Sequence, residues 1–202
     1  MSLQQRFARL VTNLVVRFPF LWGMFRGTMR RQFDELAPVW DATRVDPAKL
    51  APLQAALESL PDPPARVLDV GTGTGVAARL ATGLWPDAKV TGVDASPGMI
   101  EEARRLSTGQ SYEVADASKL PFATASFDLV TLNNMIPFFD EIARVTTPGG
   151  AVAICYTRGA GTPIWVPPER VQNELVRRGF AHVADFPVGP GIAVLARKDE
   201  VA

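Results

Sequence analysis

Hydrophobic positions recur at two different spacings along this chain, and the change comes near residue 62. Before it the period is helical. Leu3, Phe7, Leu10, Leu14 and Phe18 stand three or four apart with Val11 and Val15 beside them, which predicts an amphipathic helix over 3–18 stopped by Pro19. A second helical pattern covers 21–37. A third follows Asp46-Pro47, a plausible N-cap and first-turn proline, and runs to Leu60. Pro61-Asp62-Pro63-Pro64 cannot continue a helix. Two units are therefore expected: an N-terminal helical extension over 1–61 that covers the rest, and a larger domain over 62–202.

Beyond the prolines, strand and helix signals alternate. Strands are predicted at 66–70, 89–93, 112–115, 127–132, 151–157, 181–186 and 192–197, and helices at 75–83, 97–107, 138–146 and 167–178. The runs Phe127 to Leu132 and Ala151 to Cys155 are almost continuously apolar, as strands of a parallel sheet covered on both faces must be. The expected architecture is α/β, an open doubly wound sheet whose ligands lie at the carboxyl ends of its strands. The short link around Pro187-Val188-Gly189-Pro190-Gly191 makes the last two strands an edge hairpin.

Composition narrows the function. The chain has 202 residues, with 21 basic against 21 acidic, so nothing global points to nucleic acid. One cysteine, Cys155, excludes an internal disulfide, and one histidine, His182, excludes a His-rich metal site.

The most informative segment is Arg66-Val67-Leu68-Asp69-Val70-Gly71-Thr72-Gly73-Thr74-Gly75-Val76, an apolar strand entering a glycine-dense turn and then a helix. Glycine accepts positive φ and carries no Cβ, so such a turn brings bare backbone to a ligand. A dinucleotide fingerprint needs a glycine where Val76 stands, and the Gly-Lys-Ser/Thr ending of a phosphate loop is missing. A carboxylate two residues before the first glycine suits a cationic ligand better than a pyrophosphate. This segment resembles motif I of the class I S-adenosylmethionine (SAM) dependent methyltransferases. The resemblance implies that Asp69 serves the amino end of the cofactor's methionine portion, with Gly71, Thr72, Gly73 and Gly75 forming the loop beneath it.

Three later segments extend the likeness. Val90-Thr91-Gly92-Val93-Asp94-Ala95-Ser96 ends a strand in a carboxylate able to accept two bonds from a ribose diol, a device dinucleotide enzymes share. Tyr112 to Ala117 resembles the family's adenine-reading segment, which implies roles for Asp116 and for the backbone of Ala117. Phe127 to Asn134, with Asp140 to Val145 and Pro148-Gly149-Gly150, is similar to the family's fourth strand, helix and glycine turn. Taken together these segments resemble the ubiquinone/menaquinone-biosynthesis type of small-molecule methyltransferase, well over 65–156 and more loosely over 167–198. The family picture implies seven strands, mostly parallel and Rossmann-like, with an antiparallel final pair. It also implies Ala95 and Met99 beside the nucleoside, Asn133 near the methyl group, and an aromatic side chain, Trp40, closing over the cofactor.

Each position has a plainer reading too. Asp69 can cap its own turn, Asp116 can start one, Met99 can be ordinary core, and Cys155 in an apolar strand is a small hydrophobe. His182 lies away from the motifs, and no general base stands out, so the catalytic residue stays open. Methyl transfer asks mainly for alignment, and Asn133 and Asn134 are placed to orient an acceptor. No Asn-Pro-Pro-Tyr/Phe segment of the nucleic-acid amino methyltransferases is present. The segments from Asn133 to Glu141 and from Thr157 to Pro167 are short, so the acceptor site is either open or covered by the N-terminal helices. The expected activity is in-line methyl transfer to a small organic molecule, with SAM as cofactor and no metal. A non-catalytic subunit of the same fold and a nicotinamide-dependent oxidoreductase stay open as alternatives.

Arg6, Arg9, Arg17, Arg26, Arg30 and Arg31 precede the first acid, Asp34. A basic amphipathic helix can lie on an anionic membrane, and the plainer reading is a lid with a solvated arginine face. Residues 10–25 are interrupted by Arg17 and Pro19 and fall short of the ~20 apolar residues a span needs; no signal peptide is expected. The expected location is cytoplasmic, with peripheral membrane contact as the variant.

Overall fold

In a computed structural model, residues 3–44 and 46–200 are described. Three helices open the chain: α1 (Leu3–Arg17), α2 (Trp22–Leu36) and the short α3 (Trp40–Arg44), with 3-10 turns at Pro19–Leu21 and Ala37–Val39. The expected third helix begins as a 3-10 turn over Pro47–Leu50 and becomes α4 only at Ala51–Glu58. Its N-cap position is Leu50, and Asp46 contributes its backbone carbonyl to Lys49 N–H. The helix α3 was not legible because five residues carry too little periodicity.

Seven strands follow: β1 (Arg66–Val70), β2 (Lys89–Asp94), β3 (Ser111–Val114), β4 (Phe127–Asn133), β5 (Thr146–Tyr156), β6 (Phe180–Val188) and β7 (Gly191–Lys198). They form one sheet in the order β3-β2-β1-β4-β5-β7-β6. β1 pairs in parallel with both β2 and β4, so the strand order reverses there. β7 runs antiparallel to both β5 and β6, which makes the last pair the edge hairpin that the Pro/Gly link predicts. The alternating elements are α5 (Val76–Leu84), α6 (Pro97–Arg105), α7 (Phe139–Val145) and α8 (Pro168–Val176). With seven residues, α7 is as short as the spacing from Asn133 to Glu141 requires.

Alternate strand residues feed two cores. Val67, Leu129, Ala151, Ala153 and Cys155 point to one face, where Leu53 and Ala56 of α4, Ala77, Ala78 and Ala81 of α5 and Ile100 of α6 cover them. Leu68, Val130, Val152 and Ile154 point to the other, under Val11 and Val15 of α1, Ile142 of α7 and Leu175 of α8. This is the period-two pattern of a sheet buried on both faces. The 1–61 unit divides accordingly. α4 packs against β5, β6 and β7 as a working member of the outer layer, while α2 and α3 reach the carboxyl ends of the strands.

Candidate functional site

The loops that leave β1, β2, β3, β4 and β5 at their carboxyl ends surround a cavity of about 1500 Å³. Residues of α1, α2 and α3 form its outer wall, among them Phe7, Met29, Phe33 and Trp40. The N-terminal helices thus cover the site. Asp69, Gly71, Thr72, Gly73, Asp94, Ala95, Met99, Ala117, Asn133 and Trp40 all line this hollow. Sequence reasoning placed these ten around one ligand, and the fold brings them together.

The glycine loop turns because Gly71, Gly73 and Gly75 all sit at positive φ (69°, 54° and 86°). Gly71 has a packing reason as well: a Cβ there would come within 2.7 Å of the Met135 Cγ. Gly75 lies behind the cavity wall, where a Cβ would run into the Tyr112 ring, so its role is to bring the start of α5 against the sheet.

Beneath the loop, Asp69 is 1 % exposed. Thr72 Oγ1–H donates to its Oδ2 (2.6 Å) and Thr131 Oγ1–H to its Oδ1 (2.9 Å). Thr131 reaches it because β1 and β4 pair Asp69 directly with Thr131. Burial pushes the Asp69 carboxyl up to about 6, against the pull of the two threonine bonds. In this state Asp69 braces the loop, and each oxygen keeps lone-pair capacity for a further donor.

Asp94 ends β2, and both its oxygens are aimed by backbone. Gly73 N–H donates to Oδ2 (3.0 Å) and Ser96 N–H to Oδ1 (2.9 Å). Burial raises this carboxyl above its ordinary value. Two desolvated carboxylates flanking one glycine loop favour a cationic or hydroxyl-rich ligand.

The neighbouring asparagines differ. Asn134, at φ 54°, clamps the ends of β4 and β5: its Nδ2–H donates to Thr157 Oγ1 (3.0 Å) and its Oδ1 accepts from Thr157 N–H (3.0 Å). Both line the cavity, but Asn133 has its Oδ1 buried and unpartnered. A buried acceptor left unbonded costs about 1–3 kcal/mol, so this atom points to a donor on whatever fills the hollow.

Asp116 stands outside the cavity wall. Trp22 Nε1–H (2.9 Å) and Ser118 N–H and Oγ–H donate to its Oδ1, and Arg26 lies 3.4 Å from its Oδ2. These partners hold its carboxyl below the usual range although burial opposes them. Its side chain ties α2 to the loop after β3, and only Ala115 and Ala117 of that loop face the hollow. Met99 is fully buried and lines the wall. His182 is exposed on the edge strand β6, at a register shift. Cys155 is wholly buried, with its thiol pushed up to about 12. Neither lines the cavity.

Sequence reasoning missed the latches between the helical extension and the ligand loops. Asp34 of α2 accepts from Ser96 Oγ–H (2.6 Å) and Gly98 N–H (3.0 Å) at the start of α6. Asp41 of α3 accepts from Thr74 Oγ1–H in the glycine loop and lies 3.5 Å from Arg79. The acids were visible in the sequence, but their partners lie 62 and 33 residues away, beyond any local pattern.

Comparison with known proteins agrees with this geometry. Residues 67–150 match the model of a family described as "Methyltransferase domain". The chain is 36% identical over 149 residues to a demethylmenaquinone methyltransferase of Chlorobaculum parvum, which covers 64% of this chain and 59% of that one. It spans roughly two-fifths to three-fifths of the length of the first curated relatives it matches. Human N-acetylserotonin methyltransferase in complex with SAM shares the fold, with a TM-score of 0.63 at 19% identity, over 86% of this chain and 56% of that one. The [4+2]-cyclase SpnF does too, at a TM-score of 0.65 and 19% identity, over 85% and 95%.

Proposed function

We propose, from the premise that residues 67–150 form a class I SAM-dependent methyltransferase domain, that the chain transfers a methyl group from SAM to a small organic acceptor. The observation that carries this reading is the unpartnered Asn133 Oδ1, set in one cavity with the desolvated carboxylates of Asp69 and Asp94. An orphan acceptor, a buried acid and a half-buried one call for a ligand that brings positive charge and several donors. SAM, with its ammonium, sulfonium and ribose diol, meets that demand. A nicotinamide dinucleotide would bring a pyrophosphate against the same acids.

The bound cofactor supplies an electrophilic methyl on a sulfonium centre, and the chain's part is alignment and exclusion of water. Asp94 is held rigid by Gly73 and Ser96 to take the ribose diol. Asp69, Gly71 and Thr72 support the amino-acid end, and Asn133 stands between that end and the outer cavity. Trp40, packed edge-on to Phe33 at 5.6 Å, closes the wall over the cofactor. The outer hollow, lined by Phe7, Leu10, Met29 and Ile164, fits a largely apolar acceptor.

The test is calorimetric titration with SAM and S-adenosylhomocysteine, then radiolabelled methyl transfer to a demethylmenaquinone supplied in reduced form, the quinone being the one that the name of a curated relative prints. Micromolar binding with turnover supports the reading. Binding without turnover on any quinol or phenol would favour a non-catalytic or differently catalytic chain, as the shared fold of a cyclase makes concrete. No binding of either nucleoside would overturn the cofactor assignment.

A further inference from the structure

We propose that the elbow between α1 and α2 is a docking tip for an anionic lipid surface. Large apolar side chains rarely stand out alone from a soluble fold in a cluster this tight. Phe18, Phe20 and Met24 are 40%, 79% and 74% exposed, within seven residues of one another. Their neighbours cannot hide them, because Pro19 opens a single 3-10 turn that projects the segment before α2 begins. Phe18 and Phe20 pair at 6.1 Å, which presents two rings together.

The charge carried by the elbow's own segment is of one sign. Every ionised side chain from Arg6 to Arg31 is an arginine. Arg17 stands 5.4 Å over the Phe18 ring. Arg26 is mostly exposed one turn into α2, with part of its charge met by Asp116. The acids of α7 closest to this turn are already matched, Asp140 by Arg178 and Glu141 by Arg144. Aromatic rings beside Arg17 and the exposed Arg26 suit the headgroup boundary of an anionic bilayer, where the rings enter the acyl edge and the guanidinium groups meet phosphate.

The tip also belongs to the two helices that wall the cavity. Phe7 and Leu10 of α1 are half exposed and line the hollow, as do Met29 and Phe33 of α2. An elbow seated in a bilayer would place an apolar-lined opening at the lipid boundary. Among the described residues no helix is long and apolar enough to cross a membrane, so the contact is peripheral.

The experiment is co-sedimentation of the full chain with vesicles of phosphatidylcholine containing 30% phosphatidylglycerol, and with phosphatidylcholine alone. Binding is expected to the anionic vesicles at low salt and to weaken at high salt. Phe20→Ser with Met24→Ser should lower the partition coefficient by about tenfold or more, and Arg17→Glu by roughly tenfold. A Phe20→Trp variant should show a blue shift on adding anionic vesicles. The idea fails if the chain stays in the supernatant with anionic vesicles, or if the double variant binds as the parent does. It fails equally if the Phe20→Trp shift follows protein concentration without lipid, which would make the tip a contact between copies. None of these readouts depends on the cofactor, and S-adenosylhomocysteine binding by the same preparations separates this test from that of methyl transfer.

Discussion

Asn133 and Asn134 are adjacent, chemically identical and opposite in role. Asn134 holds a left-handed conformation and three contacts to Thr157, so Asn134→Ala loses hydrogen bonds and adds backbone strain. A loss of about 2 kcal/mol in unfolding free energy is expected by denaturant titration. Asn133→Ala removes an unbonded buried acceptor and should not lower that free energy. Its effect should appear as a loss of roughly tenfold to hundredfold in SAM affinity or turnover, the worth of a bond to a charged group. If the two variants behaved alike, the division of labour would be wrong. Asp69 makes a pH prediction. Its folded carboxyl lies near 6, above the ordinary value of 3.8. Between those two values the unfolded chain has already lost the proton that the folded chain keeps, so stability falls as pH rises from about 4 to 6 and then levels. A cationic ligand favours the charged carboxylate, so SAM affinity should rise between pH 5 and 7 with proton release on binding. Calorimetry in buffers of different ionisation enthalpy reads that proton directly, and Asp69→Asn should reduce it.

At the scale of elements, the strands and their flanking helices were legible because each carries its own periodicity, and the observed boundaries lie within a few residues of the expected ones. The exception is β5, which begins at Thr146, five residues before Ala151. Its opening Thr146-Thr147-Pro148-Gly149-Gly150 reads as a turn locally, yet it extends along β4 across a register shift between Phe127 and Leu129. Cross-strand pairing overrides local turn chemistry there. How the extension meets the sheet was equally hidden. α2 is fastened to α6 by Asp34, whose two bonds to Ser96 and Gly98 supplement the N-cap that Ser96 itself makes to Met99. Asp34→Ala is expected to cost about 1–2 kcal/mol in stability, and to weaken S-adenosylhomocysteine binding because Ser96 N–H helps aim Asp94. Trp40→Ala should raise the dissociation constant for SAM without lowering the melting temperature much, since the ring is only partly buried. Unchanged affinity would remove Trp40 from the cofactor wall.

For the whole molecule, ligand loops and helical cover form one connected system, because Asp34, Asp41 and Asp116 each link the extension to a different strand-end loop. Ligand binding should therefore stabilise the chain globally. S-adenosylhomocysteine at a hundredfold excess over its dissociation constant is worth about 2.7 kcal/mol. In a chain of this size that shifts the melting temperature by roughly 5–10 °C, and Asp94→Ala should largely erase the shift. Whereas the crossover at β1 and β4 appears only in the pairing of the strands, legible along the chain were the alternation of strands and helices and ten of the residues that line the cavity. Those features are written in short-range periodicity, in glycines where the backbone must turn left-handed, and in acids at strand ends. Tertiary structure alone decided which acids face the ligand. Asp69, Asp94 and Asp116 look equivalent along the chain, but register hands Asp69 to Thr131, backbone amides aim Asp94 into the cavity, and Trp22 and Arg26 draw Asp116 away from it. A side chain's direction is settled by partners that are neighbours only after folding, and no local pattern carries their identity.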